Sequence, residues 1–224
     1  MIVDLMLRRR AALTEFVPQL NEQIVHSFAS ILGFWATDGD AVFNPGNGES
    51  ATLDLRKALA PGLKGQQIFY APRLGGYLNR DTSQSDDFLS FKIDTEKIDY
   101  REFCLHSLPL LISIFDSYRA TVETDREIRQ SDWKDICDLS KTSGRDIDGR
   151  DTVFRVWPVN FFDDLLCQRS FGIGAGEVVR RLAPECERAE VLNSGAFILI
   201  TSEVITGAAL NELNKRAMRS LFAS

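Results

Sequence analysis

Between Ala11 and Trp35, apolar residues recur at Leu13, Phe16, Val17, Leu20, Ile24, Phe28, Ile31 and Leu32. Spacings of three and four predict an amphipathic helix, which Pro18 kinks or restarts. Turn chemistry follows in Asp38-Gly39-Asp40 and again from Asn44 to Gly48, bracketing Ala41-Val42-Phe43 as a short strand. A short helix is expected from Thr52 to Leu59, ending before Pro61-Gly62, and Gln67 to Ala71 is strand-like. The segment from Arg73 to Asp87, with Gly75-Gly76 and a run of serine, threonine and aspartate, is the most loop-like part of the chain.

Phe88 to Ile93 alternates apolar and polar positions as a strand does. Asp99 and Glu102 have the spacing of a capping box, predicting a helix from there through Tyr118. That helix is apolar around so much of its circumference that it belongs in the centre of the core. A second helix is expected from Arg126 to Leu139, then a loop from Ser143 to Gly149. Val153 to Trp157 is β-branched and aromatic and predicts a strand, which Pro158 should end for want of an amide hydrogen. Helix should follow at once, with Asn160 as its cap, Asp163 reinforcing that end electrostatically, and Phe161, Leu165 and Leu166 near one face. Trp157, Phe161 and Leu165 are expected in the core. The chain closes with a short helix from about Ala175, a strand from Ala196 to Thr201 and a helix from Thr206 to Leu221, with Leu210, Leu213, Met218 and Leu221 inward.

The run Arg155-Val156-Trp157-Pro158-Val159-Asn160-Phe161-Phe162-Asp163-Asp164-Leu165-Leu166-Cys167, then Phe171-Gly172, a short helix and Asn193 to Thr201, resembles the C-terminal half of bacterial polymorphic-toxin immunity proteins, most closely the immunity protein 52 family. The resemblance covers roughly residues 85 to 221 and lies in hydrophobic pattern and turn placement. It implies a cytoplasmic protein that binds and neutralises a cognate toxin domain, in this family a nuclease of restriction-endonuclease-like fold delivered by a secretion system such as type VI.

At 224 residues with 44% hydrophobic content, the chain can bury a full core. The reading is one α+β domain over 1–224, with short, mainly antiparallel strands packed against several amphipathic helices. A subdivision into a helix-containing 1–80 segment and an 85–221 core stays open. Arg8-Arg9-Arg10 follows the first apolar residues instead of preceding them, the reverse of a signal peptide, and no apolar run reaches the length of a membrane span. The expectation is therefore a cytoplasmic location without membrane contact.

Net charge is −6, but it is unevenly spread: residues 81 to 138 hold 7 basic and 14 acidic residues, against 8 and 7 before them and 11 and 11 after. Such a middle suits docking onto a basic enzyme better than direct binding of nucleic acid, whose phosphates need a basic surface. An ordinary solvated acidic face gives the same counts. Cys104, Cys137, Cys167 and Cys186 lie about thirty residues apart and read as buried thiols. His26 and His106 are too isolated to suggest a metal site.

Motif-like strings carry little chemistry. Gly172-Ile173-Gly174-Ala175-Gly176 lacks the register and the Lys-Ser/Thr ending of a phosphate loop and reads as a helix junction. Asp146 to Asp151 has its glycine too early for a calcium loop and lacks the closing glutamate, so it reads as an acidic turn. Asp163 and Asp164 are helical neighbours pointing about 100° apart, with no base or second acid placed beside them. No catalytic residue, metal or cofactor is assigned. The expected partner is a cognate toxin or effector protein, contacted through Tyr77, Asp81, Asp86 and Asp87 on the long loop and Asp146, Asp148 and Asp151 on the acidic turn, because polar loops on a rigid scaffold commonly carry recognition. An unrecognised small hydrolase and a general regulatory protein-binding domain are the competing readings. Self-association is left open.

Overall fold

A computed structural model describes residues 1–10, 27, 28, 31, 42–44, 51–54, 61–70 and 82–223. Among these, nine strands form one sheet in the order β2-β3-β4-β5-β1-β6-β7-β9-β8, every neighbouring pair antiparallel. The strands are β1 (Ile2–Arg9), β2 (Val42–Asn44), β3 (Ala51–Asp54), β4 (Leu63–Tyr70), β5 (Asp87–Asp94), β6 (Arg119–Glu123), β7 (Val159–Phe162), β8 (Arg188–Leu192) and β9 (Gly195–Leu199). Five helices lying wholly within the described residues accompany them. The first, α1, runs through Tyr100–Glu102, a π-helical turn at Phe103–Ser107 and Leu108–Ile114; the others are α2 (Arg126–Ser143), α3 (Asp164–Phe171), α4 (Ala175–Leu182) and α5 (Gly207–Phe222). The α+β class and the antiparallel strands follow the sequence expectation.

The central strand, β1, comes from residues that suggested only the absence of a signal peptide. Val3, Leu5 and Leu7 are buried on one face, while Asp4, Met6 and Arg8 point to the other. Register with β6 places Met6 opposite Thr121, Arg8 opposite Arg119 and Asp4 opposite Glu123. One face of the sheet is therefore apolar along its middle. Leu5, Leu7, Phe91, Val122, Phe161 and Phe197 pack there with Leu111, Ile112 and Phe115 at and beyond the end of α1.

Asp99 caps α1, its carboxylate accepting from the Glu102 amide at 3.0 Å. Pro109 has no amide hydrogen to give the Leu105 carbonyl one turn earlier, and the Arg188 guanidinium donates to that carbonyl instead. The carbonyl that proline leaves open is thus closed by β8.

The opposite face changes character along the sheet. On β7 and β9 it presents Phe162, Ala196 and Ile198 to Leu166 and Cys167 of α3, Val178 and Leu182 of α4 and Leu213 and Leu221 of α5. On β1 and β6 it presents Asp4, Met6, Arg8, Arg119, Thr121 and Glu123, and α2 lies beside it. Only Ile136 and Ser140 are buried along the 18 residues of α2. Polar groups hold this helix instead: Asp132 accepts from Arg155 at 2.5 and 2.9 Å, and Ser140 accepts from the Ile147 amide at 3.2 Å.

Several expectations are corrected. Val153 to Trp157 is irregular, and Pro158 precedes a strand instead of ending one. The segment's polar groups go to helices: Arg155 to Asp132 and Asn211, and the Val156 amide to Asn214 at 2.9 Å. With those bonds made it needs no neighbouring strand, while Pro158 contributes its carbonyl to the Ile200 amide at 2.8 Å and its missing N–H costs nothing at a strand entrance. Asn160 lies within β7, where its side chain accepts from the Trp157 amide and donates to the Trp157 carbonyl. The cap of α3 is Asp163, which accepts from the Leu166 amide at 2.7 Å.

Trp157 and Phe161 are buried as expected, but Leu165 is 42% exposed on the outer side of α3. Thr52 to Asp54 belongs to β3, not to a helix, and the rest of that expected helix lies outside the described residues. So does nearly all of the expected helix from Ala11 to Trp35, of which Phe28 and Ile31 are buried. β8 was not anticipated. It joins β9 through Asn193 and Ser194, both at positive φ (47° and 63°) as in a two-residue type I′ turn.

Candidate functional site

The polar half of the second face and α2 enclose a cleft of about 510 Å³. Its floor is Met6, Arg8, Arg119, Thr121 and Glu123; Arg126, Arg129, Gln130, Asp132, Trp133 and Ile136 form the α2 side, and Phe154, Arg155 and Trp157 form one end. A second hollow of about 220 Å³ shares Met6, Arg8, Trp133, Ile136 and Asp148 with it and reaches Ser83 and Asp86. The α2 residues recur at intervals of three and four, so one helix stripe faces the sheet. Trp133, on the rim, is 62% exposed.

Charge inside the cleft is partly self-compensated. Arg119 is ion-paired with Asp148, and Arg155 with Asp132 while lying 5.7 Å from the Trp157 ring centre. Arg129 Nε is 2.9 Å from Glu123 Oε2 but out of line for a hydrogen bond, so that buried oxygen has a charged neighbour and no donor. Burial pushes the Glu123 carboxyl up to about 7, against the pull of Arg129 and Arg119. Arg8 donates to the Ser83 carbonyl at 3.1 Å. Burial works to lower its pKa, yet Tyr118, Asp86, Asp148 and Asp146 together hold it above the usual value, so it stays charged. Among the described residues neither Arg8 nor Arg126 has a carboxylate within ion-pair distance.

The two acidic segments chosen from the sequence meet each other next to this cleft. Asp86 is buried and accepts from Arg150 Nε at 2.7 Å and from the Tyr118 hydroxyl at 2.5 Å. Burial raises the Asp86 pKa, opposed by Arg150 and Tyr118, and burial with the Asp86 charge raises the Tyr118 phenol well above its ordinary value. Asp87 is buried against Arg9 at 2.5 Å. Asp146 is fully buried and accepts from Ser83 and from the Arg150 amide. Asp151 accepts from the Asp146 amide at 2.8 Å. Of the seven expected contact residues, Tyr77 and Asp81 lie outside the described residues; Asp148 lines both hollows, and Asp86 lines the smaller one. The expectation that Asp86 and Asp87 stand exposed on a loop is overturned: each neutralises an arginine beneath the surface.

Sequence reasoning passed over Arg8, Arg119, Glu123, Arg126, Arg129, Trp133 and Arg155. A signal was present, since Arg119-Ala120-Thr121-Val122-Glu123 alternates polar and apolar as a one-sided strand does. The described cysteines are unpaired as disulfides, and burial pushes Cys104, Cys167 and Cys186 up to about 12. Among the described residues no helix is long and apolar enough to cross a membrane, and no group of three or more metal-binding side chains converges. Comparison with family models, curated proteins and solved structures finds no match.

Proposed function

We propose that this chain acts by binding a partner protein through the exposed rim that α2 forms along the cleft, and that the partner is a cognate antibacterial toxin domain with nuclease activity, which the chain neutralises in the cytoplasm as an immunity protein. The observation that carries the binding reading is Trp133. A tryptophan 62% exposed on a helix, with exposed Arg129 one turn and exposed Arg126 two turns before it, has the composition of an interface anchor. The choice of partner rests on the resemblance of residues 85 to 221 to immunity proteins. Glu127, Asp135 and Asp138 are exposed on the same helix, so steering toward a basic enzyme falls to α2 instead of the buried carboxylates at 86, 87 and 146.

Co-expression with the toxin encoded beside this chain, and with an unrelated toxin, tests the proposal. Survival should be restored against the first alone, and Trp133→Ala should abolish protection while leaving soluble expression unchanged. Death of cells carrying soluble wild-type protein and a verified cognate toxin overturns the immunity reading; full protection by the Trp133→Ala variant moves the interface off α2.

A further inference from the structure

The geometry points to the cleft beneath α2 as a binding site for a small, elongated, acceptor-rich organic anion of the mononucleotide class. This goes beyond the partner reading, with which it shares Trp133, Arg126 and Arg129 on the rim of the cleft, and it does not require that reading. The first argument is a count of hydrogen-bonding capacity. Among the described residues five guanidiniums and three carboxylates line the cleft. Arginines carry about 25 N–H donors at five each, whereas carboxylates offer about 12 acceptor positions at four each. The existing pairs leave the excess on the donor side, which oxygen-rich anions match and cations do not.

The placement of Arg8 and Arg126, which have no carboxylate partner among the described residues, gives the shape. Arg8 pairs across the ladder with Arg119, and Arg129, one turn after Arg126, lies against Glu123. Arg119 and Glu123 are four residues apart on β6, so the two ends of the floor are separated by about 13 Å. Between them the surface is Met6, Thr121 and the rings of Trp133 and Trp157. A flat body fits against this stretch, with acceptors toward a guanidinium at each end. A nucleoside monophosphate has that layout, a phosphate at one end and the acceptor edge of a base at the other, and about 510 Å³ is enough to hold it.

Calorimetric titration of the full chain at low salt tests this with AMP, adenosine and inorganic pyrophosphate. AMP should bind at one saturable site, with adenosine and pyrophosphate each about tenfold weaker or more, since each supplies half of the recognition. Arg126 is exposed, so Arg126→Gln should fold normally and weaken AMP about tenfold; Arg8→Gln, checked by circular dichroism because Arg8 is partly buried, should weaken it further. Absence of saturable AMP binding up to about 5 mM overturns the site. Adenosine or pyrophosphate matching AMP overturns the ligand class, and AMP binding unaltered by Arg126→Gln places the ligand elsewhere.

Discussion

The carboxylate of Asp146 accepts both the amide and the hydroxyl of Ser83, at 2.7 and 2.9 Å, across 63 residues of sequence. It also accepts from the Arg150 amide at 2.9 Å, and the backbone turns so tightly around it that a methyl group on Gly149 would overlap its oxygens. One buried aspartate thereby fixes the loop after α2 to the 3₁₀ turn at Ser83–Ser85, and these two segments carry Asp148 to the cleft and Asp86 to the smaller hollow beside it.

Asp146→Ala should cost about 2 to 4 kcal/mol of stability, because three donors lose their acceptor in a site water does not reach. Asp146→Asn keeps the shape and part of the acceptor capacity and should cost less. Urea unfolding followed by circular dichroism measures both, and an alanine variant as stable as wild type would show that this carboxylate does not hold the two segments.

Local pattern revealed the elements that satisfy themselves locally. Asp99 caps α1, Phe88 to Ile93 lies in a strand, and α4 and α5 begin within a residue or two of their expected starts. What stayed hidden was determined by distant partners. Val153 to Trp157 has the composition of a strand, but its amides and guanidinium are taken by Asn214, Asn211 and Asp132 from helices beyond it. Asp86 and Asp87 sit among serines, threonine and glutamine, which suggests exposure; Arg150 and Arg9, 64 and 78 residues away, make their burial affordable. The cleft was illegible for the same reason, since its floor joins residues 6 to 8 with residues 119 to 123 through a pairing that neither segment announces alone.

Neutralising the acidic loop should therefore fail as a test of steering. Asp86→Ala leaves the Arg150 guanidinium and the Tyr118 hydroxyl buried without their shared acceptor and should destabilise by about 3 to 5 kcal/mol. Replacing Glu127, Asp135 and Asp138 together by glutamine or asparagine should change stability by about 0.5 kcal/mol per site or less, because all three are exposed. With purified toxin, that triple variant should associate more slowly than wild type at low salt and equally at high salt; equal rates at both would remove α2 as the steering surface.

The two tryptophans of the cleft should separate folding from binding. Trp157 is 3% exposed, and its alanine variant should lose about 3 to 5 kcal/mol. Trp133→Ala should lie within about 0.5 kcal/mol of wild type in the same denaturation experiment. A Trp157 variant of normal stability would contradict the packing described for residues 153 to 157.

Glu123 makes the stability of the chain depend on pH in a defined direction. Its carboxyl titrates near 7 in the folded protein against 4.5 as the ordinary value, so between those limits the native state holds the proton more tightly than the unfolded state. Below pH 4.5 both states are protonated, and the full contribution of the neutral acid is present. As pH rises through 7 the native carboxyl ionises in a site that solvates it poorly, and up to about 3 kcal/mol is lost. Arg129 is the nearest compensating charge, but it lacks the alignment to donate to the buried oxygen. Glu123→Gln cannot ionise, so its stability relative to wild type should rise steadily from pH 5 to pH 8, with most of the gain between pH 5 and 7. Denaturation midpoints of both proteins at pH 5, 6, 7 and 8 give that difference directly, other titrating groups being common to the two. A flat difference would mean that Glu123 ionises as readily in the cleft as in the unfolded chain, and that Arg129 pairs with it more effectively than its geometry indicates.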